Sequence, residues 1–271
     1  MTVYERFLEG DIRALSRIVS FVENREVGYR ELLARLYGRT GKSLRIGITG
    51  PPGAGKSSLV DLLAHSYLSQ GKSVGVIAVD PTSPYTGGAL LGDRVRLSSH
   101  ASDGRFFFRS MATRGATGGL AGATDNVAIV YDAFGFDITL IETVGVGQVE
   151  LDIINSCDVV VVVLVPESGD SVQTMKAGLM EIAHVFCINK ADRPGAERIA
   201  SELKYALDSR KASDNSWRPP IIMTVAIEKK GIDELLGAID EYVRTAQEDG
   251  RLEGQRRERL KRKVFRILTN R

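Results

Sequence analysis

Gly50-Pro51-Pro52-Gly53-Ala54-Gly55-Lys56-Ser57 meets the pattern G-x-x-x-x-G-K-[ST] at every fixed position. A chance match in a chain of this length is on the order of one in a hundred. The context narrows it further. An apolar run, residues 44–49, reads as a strand just before it, and residues 56–69 read as a helix just after it, with Gly71 as the stop signal. Glycines let backbone N–H groups converge on phosphate oxygens without a Cβ in the way. The helix start adds its partial positive charge. Gly53, Ala54, Gly55, Lys56, Ser57 and Ser58 are therefore expected to hold nucleotide phosphates. Lys56 reaches toward the β- and γ-phosphates, and Ser57 is placed to ligate Mg²⁺.

Outward from this loop, strands and helices alternate. Residues 73–79 form a β-branched apolar run separated from the preceding helix only by Gly71 and Lys72. That is a tight βαβ crossover, whose strands must be parallel. Further strands are expected at 138–142, 158–165, 184–189 and 221–225. Helices are expected at 124–134, 171–181, 196–209 and 231–244. The fold class is α/β: a doubly wound, mostly parallel sheet in three α/β/α layers. Helical spacing also marks residues 3–24 and 29–37. The tail, 255–271, is basic, with Leu260, Val264, Ile267 and Leu268 on one helical face. It reads either as a helix packed on the domain or as a contact helix for a partner or second subunit. The expected organisation is an N-terminal helical extension (1–42), a P-loop domain (43–245) and a C-terminal basic amphipathic helix (246–271).

Asn189-Lys190-Ala191-Asp192 closes an apolar strand in the form Asn-Lys-x-Asp. A carboxylate at Asp192 accepts from the N1–H and N2–H₂ of guanine; adenine offers no such pair. A site built on hydrogen bonds rejects such a mismatch by ~10⁴-fold or more. Asn189 is expected to tie this loop to the phosphate loop, and the Lys190 stem to cover the base. A third base loop falls at Thr224-Val225-Ala226-Ile227, where Val225 replaces the usual serine and the Ala226 N–H is the candidate contact. Asp80 and Glu142 end strands on the rim where ligands bind in open α/β sheets. Either can hold Mg²⁺ directly or through water. Asp93 is a further metal or water-positioning candidate in the Pro- and Gly-rich segment after Asp80. Gly145 is placed to offer its N–H to the γ-phosphate, and Gln148 is a candidate for orienting water.

Composition bounds the alternatives. With 36 basic and 34 acidic residues the net charge is +2, which gives no electrostatic case for nucleic-acid binding. The longest apolar run, 159–165, is far short of the ~20 residues of a membrane helix. The opening residues carry no secretory pattern, and the two cysteines, Cys157 and Cys187, sit in or beside apolar runs. No membrane partner and a cytoplasmic location are the expectations.

Taken together, Gly-Ile-Thr-Gly-Pro-Pro-Gly-Ala-Gly-Lys-Ser, Ala-Val-Asp-Pro-Thr-Ser-Pro, Gly-Gly-Ala-Leu-Leu-Gly-Asp-Arg, Glu-Thr-Val-Gly-Val-Gly-Gln and Asn-Lys-Ala-Asp resemble the methylmalonyl-CoA mutase-associated GTPases of the MeaB/ArgK type. The resemblance spans about residues 5–244. It implies GTP and GDP as substrate and product, with Mg²⁺. Its phosphate and metal residues would be Lys56, Ser57, Asp80, Asp93 and Glu142. It also implies a G-protein chaperone that assists cofactor loading and protection of an adenosylcobalamin-dependent acyl-CoA mutase. A switch covering Val165, Gly169, Asp170 and Lys176 would signal to that mutase. A homodimer is implied as well, although the family's dimerisation arm usually runs beyond the position of Arg271. Two other readings stay open: a metallochaperone for nickel or cobalt enzymes, which needs transferable metal ligands, and a P-loop kinase, which needs no Asn-Lys-x-Asp.

Overall fold

The computed structural model describes residues 1–80, 100, 103–112, 117–143, 145, 151, 154–168, 179–209 and 217–269. Among these residues, seven strands form one sheet: β1 (Leu44–Thr49), β2 (Val74–Asp80), β3 (Phe106–Ala112), β4 (Ile138–Glu142), β5 (Val159–Leu164), β6 (Val185–Asn189) and β7 (Ile221–Thr224). Their order is β3-β2-β4-β1-β5-β6-β7, and every pairing is parallel. The sheet is thus wholly rather than mostly parallel. Consecutive β1 and β2 are not neighbours, because β4 lies between them.

Helices cover both faces, as the fully buried patterns of β4 and β5 require. On one face lie α4 (Lys56–Ser69), α8 (Ile232–Glu248) and the start of α9 (Arg251–Thr269), with Leu59, Leu63, Leu235 and Leu252 against β1 and β5. The other face carries α5 (Thr117–Phe134), the short α6 (Leu179–Ile182) and α7 (Ala196–Asp208). The N-terminal helices α1 (Val3–Leu8), α2 (Ile12–Glu23) and α3 (Tyr29–Tyr37) close over α5 as a further layer. Leu15, Val19, Val22 and Leu36 are buried in one apolar cluster with Ile77, Val127 and Ile141. Asp11 starts α2 by accepting the Arg13 and Ala14 N–H groups, a standard N-cap.

Three elements depart from the sequence expectation. β3, rich in phenylalanine, is not anticipated; it is an edge strand whose Arg109 and Ser110 interrupt the apolar run. α5 begins at Thr117 rather than 124, because Gly118, Gly119 and Gly122 dilute its helical signal. α9 docks through its cations as well as Leu252. Arg256 and Arg259 pair with the buried Asp158, and Lys263 pairs with Asp125. Leu260 and Phe265 are exposed instead, while the side chains of Val264, Ile267 and Leu268 lie outside the described set. Both cysteines are buried free thiols whose pKa burial pushes up to about 12.

Candidate functional site

In a parallel sheet all strand ends of one sense share a rim. Here that rim carries Gly50 after β1, Asp80 of β2, Glu142 of β4, Val165 after β5, Asn189 of β6 and Val225 after β7. A cleft of about 350 Å³ opens there. Gly53, Gly55, Lys56, Ser57 and Ser58 line one end, and Lys190, Asp192, Val225 and Ala226 the other. Glu142 and Asn189 contribute to the walls between.

Two glycines explain the path of the phosphate loop. Gly50 has φ 147°, and a Cβ there would stand 2.1 Å from the Val163 carbonyl oxygen of the neighbouring strand. Gly55 takes the left-handed conformation (φ 86°) as the N-cap of α4, and its Cβ would meet Asn189 Nδ2 at 2.3 Å. Any other residue at either position collides with a fixed neighbour. Lys56 opens the helix and is buried, 6% exposed; its ammonium donates to the Gly50 and Pro51 carbonyls at 2.9 and 3.0 Å. The loop therefore wraps the head of its own lysine.

Asn189 joins the two ends of the cleft. Its Nδ2 donates to the Ala54 carbonyl of the phosphate loop at 2.8 Å. Its Oδ1 accepts from Thr224 Oγ1 and from the Ala226 N–H, each at 3.1 Å. The amide so fixes the phosphate loop, β7 and the last base loop at once. The Ala226 N–H, a candidate base contact from sequence, is thus donated within the protein. Lys190 follows with φ 57°, uncommon for a residue with a Cβ. That kink turns the chain off the strand, and the Ala191 N–H returns to the Thr224 carbonyl at 3.0 Å. Asp192 is exposed on the resulting loop.

Ser57 Oγ donates to Glu142 Oε1 at 2.7 Å, so the helix hydroxyl and the β4 carboxylate share one point of the rim. Both are hard oxygen donors of the kind Mg²⁺ takes, and the register places Glu142 level with Ile48 of β1. β2, ending at Asp80, pairs with β4. The Asp80 side chain, and all of Asp93, Gln148, Gly169, Asp170 and Lys176, lie outside the described residues. Val165 is buried in the core at the end of β5. Behind Glu142, the Thr143 hydroxyl donates to Thr49 Oγ1 at 2.9 Å, and the Thr49 hydroxyl donates on to the Gly145 carbonyl at 2.8 Å. These threonines fasten Gly145 to the ends of β1 and β4.

Sequence reasoning passed over four contributors. Thr49 and Thr143 stand inside motifs chosen for other residues. Arg193 and Ile227 also line the cleft, next to Asp192 and Ala226. Ile227, quoted above as part of the third base loop but given no role there, is 85% exposed at the cleft rim, a placement visible only in the fold. Arg193 also pairs with Glu167, in the turn after β5, and holds that carboxyl below its usual range.

A phosphate loop of this design, an Asn-Lys-x-Asp loop at the end of β6 and an all-parallel sheet between helices define a P-loop GTPase. The chain belongs to the family described as "Methylmalonyl Co-A mutase-associated GTPase MeaB", whose profile matches residues 15–271. A relative from Pyrococcus abyssi is 52% identical over 98% of this chain and 82% of its own. The Escherichia coli GTPase ArgK is 33% identical over 93% of this chain and 78% of its own. A Caenorhabditis elegans protein named as a mitochondrial methylmalonic aciduria type A homolog is 31% identical, over 96% and 70%. Among solved structures, one titled as a LAO/AO transport system kinase superposes with a TM-score of 0.80 at 26% identity, covering 99% of this chain and 84% of that one. HypB from Helicobacter pylori, at a TM-score of 0.54 and 18% identity, shares the fold alone.

Proposed function

We propose that this GTPase is a G-protein chaperone of an adenosylcobalamin-dependent acyl-CoA mutase, assisting its cofactor loading and protection. The family description and the name of the worm relative support that partner. The observation that carries the nucleotide half of the reading is the Asn189 bridge, which locks a phosphate loop and an Asn-Lys-x-Asp loop around one cleft.

In this reading, Gly53 to Ser58 grip the phosphates through backbone N–H groups and the start of α4. Lys56 exchanges its two loop carbonyls for the β- and γ-phosphates. Asp192 accepts from the guanine edge, while the Lys190 stem covers the ring. Ser57, Glu142, Asp80 and Asp93 would hold Mg²⁺, which neutralises charge developing on the phosphates. Gly145, fastened by Thr49 and Thr143, marks where the γ-phosphate is sensed, and Gln148 orients the attacking water. The segment carrying Val165, Gly169, Asp170 and Lys176 relays nucleotide state to the mutase. A homodimer and a cytoplasmic site of action complete the proposal.

Calorimetry with GDP, GTP analogues and ADP in Mg²⁺ tests the nucleotide half. The wild type should prefer guanosine, and Asp192→Asn should lose about two orders of magnitude of that preference. Equal binding of GDP and ADP by the wild type would overturn the site. Pull-down with GDP and then with a non-hydrolysable GTP analogue tests the partner. A cobalamin-dependent mutase should be retained in a nucleotide-dependent way, and a nickel enzyme in its place would overturn the chaperone assignment.

A further inference from the structure

A second cleft, of about 370 Å³, lies at the opposite end of the strands, between the α3–β1 connection, α5 and α9. Five cationic side chains line it against two carboxylates, Asp125 and Asp132. Those carboxylates are committed to the protein. Asp132 accepts the backbone N–H groups of Gly41, Lys42 and Ser43, and Asp125 pairs with Arg45 and Lys263. Arg256 and Arg259 are likewise committed to Asp158 beneath the floor.

Two of the cations keep side-chain donors without a partner among the described residues. Arg45 is only 5% exposed, yet among the described residues its guanidinium donates one side-chain hydrogen bond, from NH1 to Asp125 Oδ1 at 3.0 Å. A guanidinium has five N–H donors. Asp125, Asp158 and Asp132 offset its charge, and its remaining donors, on the cleft lining, are left to water or to a ligand. Arg257, also in the lining, makes no ion pair or hydrogen bond among the described residues. Tyr37 stands at the same wall with a hydroxyl that has no hydrogen-bond partner among those residues.

We infer that this cleft is a second ligand site, taking a small phosphate-type oxyanion on Arg45, Arg257 and the Tyr37 hydroxyl. The forked donors of arginine suit the oxygens of such a group. Ile129 and Leu260 supply apolar wall for whatever small body carries it. Because Arg257 is on α9 and Arg45 on β1, the anion would cross-link the C-terminal helix to the sheet.

Inorganic phosphate and, separately, pyrophosphate titrated into GDP-saturated protein, followed by amide and arginine side-chain NMR, test this. Saturable shifts are expected at Tyr37, Gly41, Arg45 and Arg257. Pyrophosphate binding tighter than phosphate would mark a diphosphate-bearing ligand, and the reverse a monophosphate. Arg257→Glu should weaken binding at least tenfold and Tyr37→Phe several-fold, with GDP affinity unchanged; both positions are on the surface, so neither variant puts folding at risk. Shifts confined to Gly53, Lys56 and Ser57, absence of saturation, or unaltered affinity in both variants would overturn the assignment.

Discussion

Asn189 makes three buried hydrogen bonds from one amide, to Ala54, Thr224 and Ala226. Asn189→Ala leaves those groups buried without their partner, at a cost of roughly 2–4 kcal/mol, since each unsatisfied group costs about 1–3 kcal/mol. Chemical denaturation should show that loss, and nucleotide affinity should fall with it. Gly55→Ala attacks the same joint from the other side, forcing a Cβ against Asn189 Nδ2 from a left-handed backbone. Its expected penalty is on the order of 2 kcal/mol, combining the left-handed cost of 1–2 kcal/mol with displacement of the amide. His184 is a separate case. It is half-buried, stacks on Tyr242 at 4.1 Å between centroids and accepts the Val160 N–H on Nδ1. Burial lowers its pKa to about 4. The unfolded chain then binds this proton more readily than the folded one. Stability is full above the ordinary histidine value and declines as pH falls from ~6.5 to ~4, by about 3 kcal/mol in all. Melting curves of His184→Gln should lack that part of the slope.

At the scale of elements, α9 is held by charge more than its amphipathic pattern suggests. Asp158 is fully buried and takes Arg256 and Arg259 from successive turns of the helix. Burial alone would raise the Asp158 pKa, but the two arginines outweigh it and hold the carboxyl below its usual range. Removing both arginines strands that charge. The double variant Arg256→Ala, Arg259→Ala should lose about 3 kcal/mol or more, the scale for breaking a buried pair. It should also free α9 to early tryptic cleavage while α8 stays protected. If the double variant resists trypsin as well as the wild type does, the helix is held by something other than this seam. Asp125 is the second socket: burial opposes its ionisation, yet Lys263 and Arg45 bring the pKa to about 2. Its folded value lies below the unfolded one, so its contribution exists above ~4 and vanishes as pH falls toward ~2. Acid should loosen α9 in that window, below the one set by His184.

For the molecule as a whole, what was legible in the sequence was what is local in it. The phosphate loop is eight consecutive residues, and its strand–loop–helix context is contiguous; the Asn-Lys-x-Asp loop is four residues at the end of an apolar strand. Periodicity placed six of the seven strands within a residue or two. What escaped is set by long-range pairing. Nothing in the order of residues says that β4 inserts between β1 and β2. Nothing tells Arg256 to find Asp158, 98 residues away, or Lys263 to find Asp125, 138 residues away. β3 was hidden because an edge strand tolerates the polar residues that blur its pattern. Arg193 and Ile227 enter the cleft only because loops from β6 and β7 meet, as the pairing of Asn189 with Thr224 requires.

The ammonium of Lys56 already has two acceptors supplied by its own loop. On the proposed function, an entering phosphate competes with those two carbonyls for the same ammonium. Lys56 then contributes the difference between two sets of oxygens, not the whole strength of a new ion pair.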